Sequence, residues 1–175
     1  MFDSDVWDRA AAELGLEVHE RPRIFGTLKP RKGHLAGTVD GFNVTIRKEP
    51  HGEGIVTGIH IEFPSPIGPP GLEVKLRKHF RDRGDGRHRR GWLVFKGSYE
   101  KRAVLAKADD PNELAAWMTP TRIEALINLP VRYRDVFVSR EGVWTHRTGP
   151  SRRPASSKSI VEEVRRIIPL ARHLI

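Results

Sequence analysis

Side chains that could bind an anion are concentrated in residues 75–102. This segment holds eleven of the 31 Lys and Arg residues and three acids, so its formal charge of +8 nearly equals the +9 of the whole chain. The remainder of the chain is therefore close to neutral. Guanidinium groups match phosphate and carboxylate groups geometrically, which makes an anionic partner the first ligand class to consider.

Six arginines form the candidate anion-binding site, and most of them lie in the stretch 81–90, which has no apolar residue. We predict an exposed basic loop or hairpin tip there. Trp92 and Phe95 follow, and rings beside arginines are used to stack single-stranded nucleic acid. Strand alternation places the two rings on opposite faces, so at most one of them is available to a ligand. The candidate site residues are Arg77, Arg81, Arg83, Arg87, Arg89 and Arg90.

The same pattern is compatible with a solvated loop that binds nothing, and both interpretations stay open. A divalent metal site at His79, Asp82, Asp85 and His88 is disfavoured, because the arginines among them repel a cation. The chain has no cysteine, which excludes disulfides, thiolate metal sites and cysteine nucleophiles. We expect no metal and no cofactor.

No catalytic signature is present: the sequence contains neither G-x-S-x-G nor H-E-x-x-H. The glycine-rich run 52–58 leads into a predicted strand and not into a helix N-terminus, so it is not a phosphate loop. His60 and Glu62 share one strand face and His146 lies on another strand. These three could form an acid–base site only if the fold brought them into one pocket.

Alternating apolar residues predict a strand-rich chain. The firmest local signal is Asp40-Gly41 between two β-like runs, which is typical of a type I′ turn in a two-residue hairpin loop that pairs Val39 with Phe42. The residues 17–32 are predicted to be loop around one short strand. The predicted strands are 23–28, 34–39, 42–48, 54–63, 72–77, 92–96, 102–107, 131–138 and 143–147.

Helical periodicity and capping signals predict four helices. The first covers 5–14. Asp110-Pro111 and Thr119-Pro120 each combine a capping side chain with a proline at the first helical position, so a helix is expected after each pair.

The last helix follows a flexible connector at 149–157. Its predicted start is Ser159, in a capping box with Glu162. Pro169 interrupts the apolar stripe of this helix and is expected to kink or split it.

Taken together, these elements predict one α+β domain over 1–175, with a mostly antiparallel sheet of hairpins and four helices packed on it. The acidic N-terminus does not fit a signal peptide, and no apolar run approaches ~18 residues, the minimum for a membrane span. We therefore expect a cytoplasmic protein.

Four motifs resemble a bacterial family of uncharacterised small α+β proteins. They are W-x2-AA-x2-LGL at 7–16, L-x-G-x3-GF-x-V-x-I at 35–46, DP-x2-L-x-x-WMTP-x-R at 110–122 and the closing V-x-x-I-x3-A-x2-L helix. Each motif is mainly apolar. The resemblance implies a small α+β domain and no particular activity, and it does not include the basic segment.

The sequence thus predicts a non-enzymatic binding domain that contacts a polyanion, either nucleic acid or an acidic protein, through the basic residues 77–102. No helix has the basic face that major-groove recognition requires, which favours binding without sequence specificity. Two alternatives remain: a protein-interaction or homo-oligomerising scaffold domain, and an enzyme with a site that the sequence does not reveal.

Overall fold

The computed structural model describes residues 4–20, 32–51, 54–77, 91–96, 103–129, 135–147 and 156–175. Within these residues the chain is an α+β protein with one nine-stranded sheet and four helices. The elements are α1 (Ser4–Leu14), β1 (Glu17–Glu20), β2 (Lys32–Val39), β3 (Phe42–His51), β4 (Gly54–Glu62), β5 (Glu73–Arg77), β6 (Leu93–Lys96), β7 (Ala103–Lys107), α2 (Pro111–Trp117), α3 (Pro120–Ile127), β8 (Asp135–Ser139), β9 (Gly142–Arg147) and α4 (Ser157–Leu174).

The strands lie in the order β1-β2-β3-β4-β9-β8-β5-β7-β6, and each hydrogen-bonded pair is antiparallel. The late hairpin β8–β9 is inserted between β4 and β5, which separates two strands that follow each other in the sequence. The sheet is continuous because β9 pairs with β4 and β8 pairs with β5. The prediction of a mostly antiparallel α+β fold is confirmed.

One face of the sheet carries the core. Alternate residues of each strand point to this face and are buried against the helices, for example Leu35 in β2, Ile46 in β3, Ile59 in β4 and Val74 in β5. The apolar stripe of α4 completes the same cluster and includes Ile167. A single contiguous core therefore joins both ends of the chain.

The β2–β3 hairpin has the predicted register. Val39 pairs with Phe42 across the turn, and the turn residues have positive φ, 52° at Asp40 and 86° at Gly41. A type I′ turn needs this geometry at both central positions, which is why Asp-Gly signals it so strongly.

Helix starts are confirmed for α2 and α3 and corrected for α4. The Asp110 carboxylate accepts from Asn112 N at 2.7 Å, and Thr119 Oγ1 accepts from Arg122 N at 3.4 Å. The N-cap of α4 is Ser156, whose hydroxyl accepts from Ser159 N at 3.2 Å. Ser159 lies in the first turn of the helix and donates its backbone N–H to the cap, so it is not the cap itself. The prediction that the helix begins at Ser159 is wrong.

Two further predictions about α4 change. The helix begins at Ser157, so the last position of the predicted connector 149–157 belongs to its first turn, and 149–155 lie outside the described residues. Pro169 lies inside the helix without splitting it, and its side chain is exposed. Proline has no backbone N–H, and the exposed position of Pro169 places this missing donor on the solvent side of the helix. The buried apolar stripe of α4 is therefore not interrupted.

One strand prediction is wrong, and one of the two alternatives for the basic stretch 81–90 is excluded. β1 (Glu17–Glu20) lies where a loop was expected. Its four residues are too few for alternation to predict a strand, and its pairing with β2 stabilises it. A hairpin between β5 and β6 is excluded, since β7 lies between them and both pair with it antiparallel. β5 and β6 therefore run in the same direction. The predicted strand at 23–28 lies outside the described residues.

Candidate functional site

The side of the sheet opposite the core, which we call the open face, carries polar and aromatic side chains. They alternate along each strand with the core residues, and most are half-buried or exposed. They include His34, Thr45, Arg47, His60, Glu62, Glu73, Lys75, Leu105, Lys107, Phe137, Trp144 and His146.

Rings and cations are interleaved at the β5–β7 end of the open face. Lys75 Nζ lies 4.8 Å from the ring centroid of Trp92 and 5.4 Å from that of Phe137. Lys107 Nζ lies 5.3 Å from the Trp92 ring and 2.7 Å from Glu73 Oε1. These contacts fix two ammonium groups against the aromatic rings.

Trp144 is the centre of a second cluster on β9. Its ring centroid is 5.3 Å from Arg47 Cζ, 5.2 Å from the imidazole of His60 and 6.1 Å from that of His146. Phe137 meets His146 edge-on at 6.3 Å and links this cluster to Lys75. The two clusters therefore form one aromatic–cationic row across six neighbouring strands, β3, β4, β9, β8, β5 and β7.

A cavity of about 260 Å³ opens on the open face within this row. It lies over β4, β9, β8 and β5. Its lining residues are His60, Glu73, Val74, Lys75, Phe137, Val138, Ser139, Gly142 and Trp144.

The β8–β9 turn at the rim of the cavity is held by its own hydrogen bonds. Ser139 Oγ donates to Glu141 Oε2 at 2.7 Å and accepts from Glu141 N at 3.2 Å. The Ser139 hydroxyl and the backbone N–H hold the pKa of the Glu141 carboxyl below its usual value, because both favour the ionised form.

A histidine pair marks the other end of the open face. His19 of β1 and His34 of β2 are stacked with their ring centroids 4.6 Å apart and their planes 5° apart. Burial lowers the pKa of His34, and the nearby His19 and Arg47 lower it further, since a second positive charge is unfavourable there.

Of the six predicted arginines, only Arg77 lies among the described residues. Arg77 ends β5, with Ala103 as its strand partner, and its side chain is not described. Arg81, Arg83, Arg87, Arg89 and Arg90 lie outside the described residues. The opposite orientation of Trp92 and Phe95 is confirmed: Trp92 lies on the open face and Phe95 packs against the core.

The proposed acid–base trio does not converge in the cavity. His60 Nδ1 lies 3.8 Å from Glu62 Oε1, yet His60 alone of the three lines the cavity, and the Trp144 ring contacts both histidines. The described residues also contain no cluster of three or more potential metal ligands.

The residues that sequence reasoning missed are Trp144, Phe137, Arg47 and Lys107. Their alternation with apolar neighbours was visible, and it predicts that they face away from the core. Their proximity depends on the insertion of β8–β9 beside β5, which no local pattern reveals.

Comparison with known proteins adds a fold relationship and no family. No protein-family model matches the chain, and no curated protein sequence matches it. A solved structure, the mycobacterial trehalose monomycolate transport factor A, TtfA, is similar with a TM-score of 0.58 and 12% sequence identity. The similarity covers 99% of this chain and 98% of that chain. It shows a shared fold over nearly the full length.

No helix among the described residues combines the length and the apolar character needed to cross a membrane.

Proposed function

We propose that this protein is a non-enzymatic binding domain for single-stranded nucleic acid, which lies across the open face and is attracted by the basic segment 75–102. The observation that carries the proposal is the row of three half-buried rings, Trp92, Phe137 and Trp144, each with a Lys or Arg at 4.8–5.4 Å. Bases stack on such rings while phosphates follow the neighbouring cations.

The open face supplies the stacking surface, and the basic segment supplies the charge. The described cations of the open face, Arg47, Lys75 and Lys107, are offset by the carboxylates of Glu62 and Glu73. The segment 75–102, which includes Lys75, has a formal charge of +8, and this charge attracts a phosphate backbone from a distance. β5 and β6, which flank most of this segment, are part of the same sheet.

A single strand suits this surface better than a duplex. The open face presents rings to unstacked bases, and within the described part of the chain it carries no helix that could enter a major groove. An acidic protein would satisfy the cations and leave the rings without stacking partners. A second copy of the chain would bring two strongly positive segments together, which is unfavourable at low salt.

A second candidate function is the binding of a glycolipid headgroup in the cavity. It is favoured by the shared fold with a protein described as a trehalose monomycolate transport factor, and by a cavity with two aromatic walls and a few polar groups. Saturation-transfer NMR with trehalose tests it. Trehalose binding without oligonucleotide binding would favour this candidate over the first.

The first test is a salt titration. Fluorescence anisotropy with a labelled 20-nucleotide dT strand, between 50 and 300 mM NaCl, measures the dissociation constant. If about six to eight phosphates are contacted, the plot of log K against log[salt] has a slope of about −4 to −6. The matching 20-base-pair duplex is expected to bind more weakly, since its bases are not available for stacking.

Variants separate the two contributions. Trp92→Leu is expected to weaken binding of the single strand by about fivefold or more, because one stacking ring is lost. The triple variant Arg87→Ser, Arg89→Ser and Arg90→Ser is expected to weaken binding and to reduce the salt slope by about 2 to 3. A control with the same loss of charge on the helix side is Arg9→Gln, Arg165→Gln and Arg166→Gln.

Two results contradict the proposal. One is that the protein does not bind the labelled strand at 50 mM NaCl although its thermal unfolding is normal. The other is an equal loss of affinity in the helix-side control and in the Arg87, Arg89 and Arg90 triple, which would mean that only net charge matters. Light scattering on the same samples shows whether a dimer forms in the absence of nucleic acid.

A further inference from the structure

The cavity on the open face has the form of a subsite for one planar ring. Its volume of about 260 Å³ is below the ~300–1,000 Å³ of pockets that enclose a whole drug-sized ligand, so it suits one part of a longer molecule. The Trp144 and Phe137 rings belong to its lining, and their strands β9 and β8 are neighbours in the sheet. A flat group could therefore lie against an aromatic wall.

Gly142 is required where the cavity meets β4. A Cβ at this position would collide with the carbonyl oxygen of Ile61 and lie 3.1 Å from His60 Nε2. The position therefore has no room for a side chain, and the glycine backbone itself forms part of the wall. Gly142 is the first residue of β9, and its lack of a side chain allows β9 to approach β4 closely at the edge of the cavity.

The polar groups of the cavity provide acceptors and a positive charge. Glu73 Oε1 is fixed by Lys107 at 2.7 Å, and a carboxylate has about four lone-pair sites, so acceptor capacity remains for a ligand. Lys75 holds its ammonium group between the Phe137 and Trp92 rings, at the margin of the cavity. The Ser139 hydroxyl is already engaged by Glu141.

One wall of the cavity contains an unsatisfied polar group. The indole N–H of Trp144 is buried and has no hydrogen-bond acceptor among the residues that the structure describes. Buried N–H groups normally have a partner, either protein or an ordered molecule. This N–H has almost no accessible surface, so the polar groups that the cavity offers to a ligand are those of Glu73 and Lys75.

We infer that this cavity binds one base of the bound strand and prefers guanine. Guanine presents two adjacent N–H groups on its Watson–Crick edge, and the carboxylate of Glu73 can accept both. Thymine presents one N–H flanked by two carbonyls, which a carboxylate repels. Lys75 then contacts the phosphate next to the bound base. This inference rests on the proposed function and adds a base preference to it.

The test uses a labelled ten-nucleotide dT strand and the same strand with one central dG. For the wild-type protein we expect the single dG to lower the dissociation constant by about fivefold or more. In Glu73→Gln the preference is expected to fall below about twofold, because an amide offers one acceptor and repels a guanine N–H with its own donors. Glu73→Asp keeps the carboxylate and is expected to retain part of the preference.

Glu62→Gln is the matched control. Glu62 is a carboxylate on the same face, beside His60, and does not line the cavity. This variant is expected to keep the wild-type preference for dG. Thermal midpoints of all variants establish that they are folded.

The outcomes distinguish the two claims. Equal affinity for the dT and dG strands overturns the inference and leaves the proposed function standing. Failure of both strands to bind at 50 mM NaCl overturns the proposed function and the inference with it.

Discussion

At the scale of single residues, the lowered pKa of His34 predicts a pH dependence of stability. Its ring is stacked on His19 and its pKa is lowered by burial, by His19 and by Arg47. The folded state therefore binds a proton less readily at this position than the unfolded state does. The stability that the folded state gains from a neutral His34 is fully present above the unfolded pKa of about 6.5. This stability is lost as the pH falls below that value.

We expect His34→Gln to reduce the acid sensitivity of the protein. Urea midpoints at pH 7.5 and pH 5.5 measure this: the wild type is expected to lose more stability between the two values than the variant does. His173→Gln is the control, because His173 is an exposed residue in the last turn of α4. The explanation fails if wild type and His34→Gln show the same pH dependence.

At the scale of elements, the N-terminus of α4 depends on Ser156. Its hydroxyl accepts from Ser159 N, which satisfies one of the four backbone donors that a helix start leaves unpaired. Ser156→Ala is expected to cost about 1 kcal/mol of unfolding free energy, measured by urea denaturation. Ser157→Ala lies inside the first turn and is expected to change the free energy by less than ~0.5 kcal/mol. A larger loss at Ser157 than at Ser156 would place the cap one residue later.

At the scale of the whole molecule, one core joins the helices to all parts of the sheet. Ile167 of α4 is completely buried in the cluster that contains residues of β2, β4 and β5. We therefore expect a single cooperative unfolding transition, with the same midpoint by far-UV circular dichroism and by tryptophan fluorescence. Ile167→Ala is expected to lower the free energy of unfolding by about 2–5 kcal/mol, and both signals are expected to report the same loss. Two separate midpoints would show that the two ends of the sheet unfold independently.

Local chemistry explains which elements were predictable. The Asp40-Gly41 turn, the Asp110 and Thr119 caps and the alternation in β4 are properties of neighbouring residues, so each could be inferred before the fold was known. β1 is too short to show a period, and it forms because β2 offers its edge. The choice between Ser156 and Ser159 as the cap also depends on local geometry that two nearby serines do not distinguish.

The candidate site was predicted in part. The basic segment and the opposite orientation of Trp92 and Phe95 followed from composition and alternation. The open face as a surface was not predicted. Trp144, Phe137 and Arg47 are distant in sequence from residues 75–102, and nothing in their local patterns indicates which strands are neighbours.

The sequence by itself determined the α+β class, the concentration of positive charge between residues 75 and 102 and which residues of each predicted strand share a face, because these depend on composition and on short-range periodicity. Tertiary structure alone decided the strand order. By inserting β8–β9 between β4 and β5, it separated these two consecutive strands and placed Lys75, Phe137 and Trp144 around one cavity. Long-range pairing depends on which strand edges are left unpaired once the core is packed, and that is a property of the whole chain.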